Sequence, residues 1–165
     1  MVTFGSDNVS ITLPDSFTGG NPKDPSVRAE LDALFSARDI PLNLDAEMEG
    51  GLELIMLSDP GPDGWIPLVT VKNKNFDTHP SMEAWANSYP ATFHMDEVTI
   101  ESLTPTSARV VGRISLGDFA VEEYWVFRQV GSRLYIVESA YDMESTPEMG
   151  SVYRASEESI SIRGE

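Results

Sequence analysis

The sequence predicts an α+β fold, in which helices pack on the faces of a mostly antiparallel sheet. Glycine-led dipeptides separate long β-type runs in the second half of the chain, a pattern typical of hairpins. Helical stretches with their own capping signals lie between strand runs instead of alternating with single strands. The chain has 165 residues, of which 41% are hydrophobic, enough for one globular domain, 1–165, with a substantial core.

The N-terminal region predicts a hairpin, a loop and a helix. Apolar and polar residues alternate over 9–13, as in a half-buried strand, and the preceding "VTF" is predicted to be its neighbour. "PDSFTGGNPKD" has the glycine and proline density of a loop. Asp24 and Pro25 then begin a helix that ends near Arg38, because aspartate caps free amides and proline suits the first helical position. Its apolar stripe consists of Val27, Leu31, Leu34 and Phe35.

The middle of the chain predicts two strands and a second helix. "GLELIMLS" and "WIPLVTVKNKNF" flank the loop 59–64, and Pro67 indicates that the second of these strands begins late or lies at a sheet edge. The second helix is predicted over 81–89 and is ended by Pro90. One face of this helix carries Met82, Trp85, Ala86 and Tyr89.

The second half of the chain predicts four consecutive antiparallel strands, at 98–103, 108–116, 119–130 and 133–141. Two-residue turns at Gly117-Asp118 and Gly131-Ser132 set the register. This register places Arg113 opposite Glu122, Gly112 opposite Glu123 and Trp125 opposite Glu138. A last helix is predicted to begin near 146–148, and "SISI" after it can return to the sheet.

Two glutamates form the candidate ligand site. In this register Glu123 and Glu138 are diagonal neighbours on a face that also carries Trp125, and Gly112 and Ala140 leave space beside Glu123. One hypothesis is that the pair binds a small molecule or a cation, with the pKa of one carboxyl raised. The favoured hypothesis is that both carboxylates are hydrated at the margin of a helix, in which case Glu123→Gln is nearly silent.

Aromatic residues supply candidate interface anchors. Trp65, Trp85 and Tyr89 are the aromatics expected to be partly exposed, as interface anchors often are. Core packing is nevertheless the favoured role for Trp85.

Few residues have the chemistry of a catalytic or metal site. His79 and His94 lack further ligands at a zinc spacing, so no metal or cofactor is predicted. The chain contains no cysteine and no G-x-S-x-G element, and we therefore do not expect an enzyme.

The charge balance restricts the partners. With 27 acidic and 11 basic residues, the net charge is −16, which should repel nucleic acids and anionic membranes and attract a basic protein partner or cations. Arg109, Arg113 and Arg128 lie on one predicted sheet face, where a helix must cover them or acids must neutralise them. No apolar run approaches the roughly 20 residues of a membrane span, so we expect no membrane insertion.

The segments "VSITLPDSF", "RLYIVESAYD" and "MGSVYRASEESISI" resemble the PsbP-like and Mog-type α/β/α sandwich group. This group includes extrinsic photosystem subunits, a Ran-binding nuclear factor and bacterial lipoproteins. The similarity spans nearly the whole chain, but it is a similarity of pattern without a site motif. It implies the sandwich fold and a non-catalytic accessory role through a protein–protein surface. Compartment and oligomeric state stay open, and one interpretation is an exported bacterial protein whose signal segment preceded Met1.

Overall fold

The computed structural model describes all 165 residues, which form ten strands and four α-helices. The strands are β1 (Val2–Gly5), β2 (Val9–Leu13), β3 (Thr18–Gly20), β4 (Leu52–Leu57), β5 (Leu68–Asn75), β6 (Glu97–Leu103), β7 (Ser107–Leu116), β8 (Phe119–Val130), β9 (Arg133–Asp142) and β10 (Ser161–Ile162). The helices are α1 (Pro25–Ala37), α2 (Leu44–Glu49), α3 (Met82–Ala91) and α4 (Met149–Ser156). No helix is both long enough and apolar enough to cross a bilayer.

The strands form two antiparallel sheets. A seven-stranded sheet has the order β3-β4-β5-β9-β8-β7-β6, and a three-stranded sheet has the order β1-β2-β10. The predicted order of the four consecutive strands is confirmed. So is their register, since Arg113 pairs with Glu122 and Trp125 pairs with Glu138. The late start predicted from Pro67 is also confirmed, although β5 is an interior strand and not an edge.

The large sheet is covered on both sides. Face A is the side that carries Trp125 and Glu138; α1 and α2 pack over its β4 end, and α3 packs over β7, β8 and β9. Face B is the side that carries Tyr124 and Glu122, and the small sheet and α4 pack on it. The predicted α+β class with helices on the sheet faces is confirmed.

Two elements were missed, for local reasons. Strand β3 lies in the stretch predicted to be a loop, because the glycines in this stretch are typical of loops. Its Gly19 and Gly20 have φ values of 127° and 138°. At Gly19 a Cβ atom would lie 2.2 Å from the carbonyl oxygen of Ile55, so the glycine is required by strand packing and not by a turn. Helix α2 has only six residues, too few to produce a clear apolar period.

Two predicted boundaries also differ. Pro90 lies inside the last turn of α3 instead of ending it, because the fixed φ of proline fits a helix and only one backbone hydrogen bond is lost there. The C-terminal "SISI" segment pairs through β10 with β2 of the small sheet and not with the large one.

The predicted cap of α1 is confirmed, since the Asp24 carboxylate accepts from the backbone N–H of Ser26 at 2.9 Å.

Candidate functional site

The polar part of face A lies where its two groups of helices meet. Thr70 and Glu138 are direct cross-strand partners between β5 and β9. A cavity of about 160 Å³, here called the Glu138 cavity, opens beside them. Its polar lining consists of Glu47, Thr70, Lys72 and Glu138. All the remaining lining residues are aliphatic. Apolar walls with a few polar groups are usual for a ligand site, and the volume of this cavity restricts it to a small molecule.

Glu138 has weak partners for a carboxylate inside a protein. The hydroxyl of Tyr89 donates to its Oε2 at 3.3 Å. Burial raises the pKa of Glu138, and the positive charge of Lys72 opposes this effect. The buried indole N–H of Trp125 lowers the same pKa as a nearby donor, although it makes no hydrogen bond of acceptable geometry. Lys72 itself lies 3.6 Å from Glu47, so its charge is already shared.

Glu123 has still fewer partners. Its Oε2 is buried and accepts no hydrogen bond, although part of the residue keeps contact with solvent. Burial first, and then repulsion from Glu138, raises the pKa of Glu123 to about 8. The expectation of two hydrated carboxylates is therefore wrong.

The space predicted beside Glu123 is also filled. Trp125 and Met95 cover Gly112 so closely that a Cβ atom there would lie 2.8 Å and 3.0 Å from them. The sequence did not show this because the covering residues come from elsewhere on face A. The prediction that the two glutamates influence each other agrees with the repulsion between them.

The carboxylates of Glu122 and Glu157 on face B are fully partnered. Glu122 accepts from Arg113 Nε at 3.1 Å and from the Tyr141 hydroxyl at 2.9 Å. Glu157 accepts two hydrogen bonds from Arg109 and one from Tyr124. Although burial raises the pKa of Glu157, these hydrogen bonds outweigh it and hold the pKa below its usual value.

The three arginines of this face are therefore neutralised. Arg109 and Arg113 pair with Glu157 and Glu122, while Arg128 donates to the carbonyl oxygen of Ile160 at 3.1 Å and reaches Glu165 at 3.4 Å. Acids and carbonyl groups bind these side chains, as one of the two predicted alternatives required.

The three aromatic interface candidates lie in different surroundings. Trp85 is only 5% exposed, and it stacks on His79 with ring centroids 4.2 Å apart and donates from Nε1 to the Phe76 carbonyl. The partial exposure predicted for Trp85 is wrong, because the inward face of α3 buries it, and its favoured core role is confirmed. Trp65 and Tyr89 are half-buried.

The sequence missed an open sheet edge. All seven residues of β6 are exposed, and only one side of this strand pairs, with β7. Val98, Ile100 and Leu103 are 45%, 36% and 41% exposed, and their cross-strand partners place them on face A. Glu97 and Thr99 point to face B. The alternation in "EVTIESL" was the available signal, but sequence alone does not show which strand ends a sheet.

A groove continues this apolar edge. It has a volume of about 510 Å³ and lies between the start of α3 and the turn after β6, with Phe76, Met82, Leu103 and Pro105 in its wall. At the other end of the edge Leu116, on the same face, is 45% exposed. The exposed apolar residues thus form a strip along the edge instead of isolated points.

Residues that could hold a metal ion do not converge. No group of three or more histidine or acidic side chains has the geometry of a metal site. His79 lies against Trp85, and His94 occupies a left-handed turn with φ of 53°.

Comparison with known proteins identifies the fold. No protein-family model matches the chain, and no curated protein matches it in sequence. The solution structure of cyanobacterial PsbP (CyanoP) from Synechocystis sp. PCC 6803 superposes with a TM-score of 0.58. The match covers 98% of this chain and 91% of that one, at 7% sequence identity. The chain has a PsbP-like fold. At this identity the likeness concerns the fold alone.

Proposed function

We propose that the chain, taken as one domain over 1–165, is a non-catalytic binding domain that acts through a protein–protein surface at the β6 edge. In this proposal, an extended segment of the partner adds a strand beside β6. The observation that carries it is the open edge of β6 together with exposed Val98, Ile100 and Leu103. An unpaired strand edge offers backbone donors and acceptors to an extended peptide, and neighbouring apolar side chains give specificity.

The chemistry of the edge indicates what the partner segment should look like. Apolar side chains lie on the face A side of β6, and carboxylates lie on the face B side. Glu101 is bonded to Arg154, at 2.8 and 2.9 Å, but Glu97 has no ion-pair partner. Together with the net charge of −16, this favours a segment that alternates apolar with basic residues. A second copy of this acidic chain is disfavoured by the same charge.

The opposite edge of the large sheet is a poor alternative. Strand β3 has three residues, two of them glycine, and offers a short ladder with almost no side-chain surface. Trp65 and Tyr89 are proposed as secondary contacts, because part of each side chain is exposed.

The resemblance to the PsbP-like group supports an accessory, non-enzymatic role. PsbP is the protein named for the superposed structure, and only its fold is shared here. The Mog-type likeness and the exported, lipoprotein-like origin stay predictions. A cell fractionation with an antibody to this chain tests the predicted compartment.

A synthetic peptide tests the proposed function. The probe is KVKVKVK, and the matched peptide EVEVEVE carries the opposite charge. We expect KVKVKVK to bind, with NMR shifts confined to β6, β7 and the start of α3, and EVEVEVE to bind at least tenfold more weakly. Ile100→Lys should weaken binding by at least tenfold, because it removes an exposed apolar contact and adds like charge. Val2→Lys is the matched control, since Val2 is 40% exposed on the edge strand of the other sheet, and it should change binding less than twofold.

Three outcomes would contradict the proposal. One is absence of binding by both peptides. Another is KVKVKVK binding that Ile100→Lys leaves unchanged, which would indicate attraction by net charge alone. The third is a concentration-dependent dimer of the parent that Ile100→Lys dissociates, which would make a second copy the occupant of the edge.

A further inference from the structure

A buried polar group that lines the Glu138 cavity has no hydrogen-bond partner within the protein. Thr70 lines the cavity, is 8% exposed, and its Oγ1 is buried without a hydrogen bond. Oε2 of Glu123, which is a diagonal neighbour of Glu138 on the same sheet face, is also buried without a hydrogen bond, although Glu123 does not line the cavity. Buried polar atoms are almost always hydrogen-bonded, so the unpartnered Thr70 hydroxyl in the cavity wall indicates that something else supplies its partner.

The charges around this cavity indicate the sign of the missing group. Glu47 of α2, Glu138 of β9 and Lys72 of β5 line the cavity, and Glu123 of β8 is repelled by Glu138. Lys74 of β5 interacts with Glu47, and the Tyr89 hydroxyl of α3 donates to Glu138. Three acidic groups therefore face two bases. Lys72 already pairs with Glu47 at 3.6 Å, so neither Glu123 nor Glu138 has a cationic partner. A ligand that brings a positive charge would relieve both the repulsion and the desolvation of these carboxyl groups.

An ammonium group fits this arrangement better than a metal ion. A metal ion needs several converging ligands, and no cluster of three or more suitable side chains exists. A primary ammonium has three donors and no acceptor, which matches an unpartnered hydroxyl and two carboxyl groups. The aliphatic walls, which include Leu52, Ile55 and Leu68, would bind a short hydrocarbon chain.

We propose that the Glu138 cavity binds a small aliphatic primary amine. The ammonium group lies between Glu138 and Thr70, and the hydrocarbon chain packs on the aliphatic wall. With about 30 Å³ for each water-sized group, the 160 Å³ cavity holds roughly five heavy atoms. This site lies beneath the helices of face A, apart from the open β6 edge, and does not depend on the proposed partner.

Three probes of equal size and different charge test this proposal. They are n-butylammonium chloride, sodium butyrate and n-butanol, each titrated at constant ionic strength into the isotope-labelled protein. We expect n-butylammonium to shift the amide signals of Thr70, Glu138 and Tyr89 in a saturable way, and to raise the melting temperature. Butyrate and butanol should bind at least tenfold more weakly. Because Glu123 is protonated near neutral pH in the free protein, amine binding should also release a proton, which calorimetry in two buffers of different ionisation enthalpy detects.

Variants locate the binding to the named groups. Thr70→Val removes only the hydroxyl, and Glu138→Gln removes the charge while keeping a polar side chain. Each should weaken n-butylammonium binding at least tenfold. Glu97→Gln, an exposed carboxylate on β6, is the matched control and should change binding less than twofold. The amide spectrum of each variant shows directly whether the fold is intact.

The proposal is overturned if none of the three probes shifts the cavity signals. Preferential binding of butyrate would also overturn it, since Lys72 would then be the group that selects the ligand. Equal binding of butylammonium by the parent and Glu138→Gln would mean that the carboxylate takes no part.

Discussion

Glu122 and Glu123 are neighbours in β8, yet their carboxyl groups lie in opposite surroundings. On face B, Glu122 accepts from Arg113 and from Tyr141, at 3.1 and 2.9 Å. On face A, Oε2 of Glu123 is buried without a partner. One residue step in a strand reverses the face, so the same side chain is stabilising on one side and costly on the other.

The contrast extends to the other buried glutamates of the sheet. Buried acids on face B are matched with arginines, tyrosines or asparagines, as when Asn8 and Asn73 donate to Glu53 at 3.1 and 3.2 Å. On face A, Glu138 receives one long hydrogen bond, from Tyr89. Glu122, Glu157 and Glu53 on face B therefore help to hold the fold, whereas Glu123 and Glu138 on face A reduce its stability when they ionise.

The largest expected effect is the pH dependence of the face A pair. Glu123 has a pKa of about 8 in the folded protein against an ordinary value of 4.5, so the native state holds a proton that the unfolded state loses. The parent should lose stability as pH rises between these two values, by at most about 1.4 kcal/mol per pH unit. Glu123→Gln cannot ionise, and its advantage over the parent should be small at pH 5 and largest at pH 8. Adding Glu138→Gln should increase the advantage.

Denaturant midpoints at pH 5, 6.5 and 8 measure this difference. Glu97→Gln, at an exposed carboxylate of β6, serves as the control. If the Glu123→Gln variant is no more stable than the parent at pH 8, the result would contradict burial of Glu123 and support the hypothesis that its carboxylate is hydrated.

The second effect concerns the packing beside Glu123. Gly112→Ala places a Cβ atom 2.8 Å from the Trp125 ring and 3.0 Å from Met95. The methionine can move, but the fully buried indole cannot, and overpacking of this kind costs about 1–3 kcal/mol. Gly5→Ala in β1 is the matched control, because the nearest atom to its Cβ would be 3.6 Å away. Equal denaturant midpoints for the two variants would show that the space over Gly112 is open.

The third comparison sets two tyrosines against each other, one on each face. Tyr141→Phe removes a 2.9 Å hydrogen bond to Glu122, and should lower the free energy of unfolding by about 1.5 kcal/mol. Tyr89→Phe removes a 3.3 Å hydrogen bond to Glu138, whose raised pKa shows that its charged form is poorly stabilised. We expect a change below about 0.5 kcal/mol there. Urea unfolding at pH 7 separates the two, and a larger loss for Tyr89→Phe would reverse the proposed difference between the faces.

The sequence predicted the local parts of this picture and missed those that depend on distant segments. Glycine-led turns at Gly117 and Gly131 fix the register of β7, β8 and β9, because a two-residue hairpin allows only one pairing. The Arg113–Glu122 pair followed from that register. By contrast, the pairing of β10 with β2 joins the two ends of the chain, and no local pattern encodes it.

The surroundings of the two glutamates were unpredictable for a related reason. The register placed Glu123 and Glu138 on the same face, as the structure does. Whether water reaches them depends on α3 and on Met95, which approach from other parts of the chain. Strand alternation gives the direction of a side chain but not what covers it.

The smallest expected effect lies at the exposed margin of face B, in the ion pair between Arg154 and Glu101. Its two hydrogen bonds are 2.8 and 2.9 Å long, but the side chains are 45% and 29% exposed, so solvent screens the attraction. The hydrogen bond from Arg154 lowers the pKa of Glu101, and the pair therefore stabilises the fold above the ordinary glutamate pKa and stops doing so as pH falls. We expect Arg154→Gln to cost about 0.5 kcal/mol at pH 7, and less at pH 3 or in 1 M salt. Arg133→Gln, an exposed arginine without an ion pair, is the control. A loss above about 1.5 kcal/mol that salt does not reduce would mean that this margin is as tightly coupled as the buried Glu122 network.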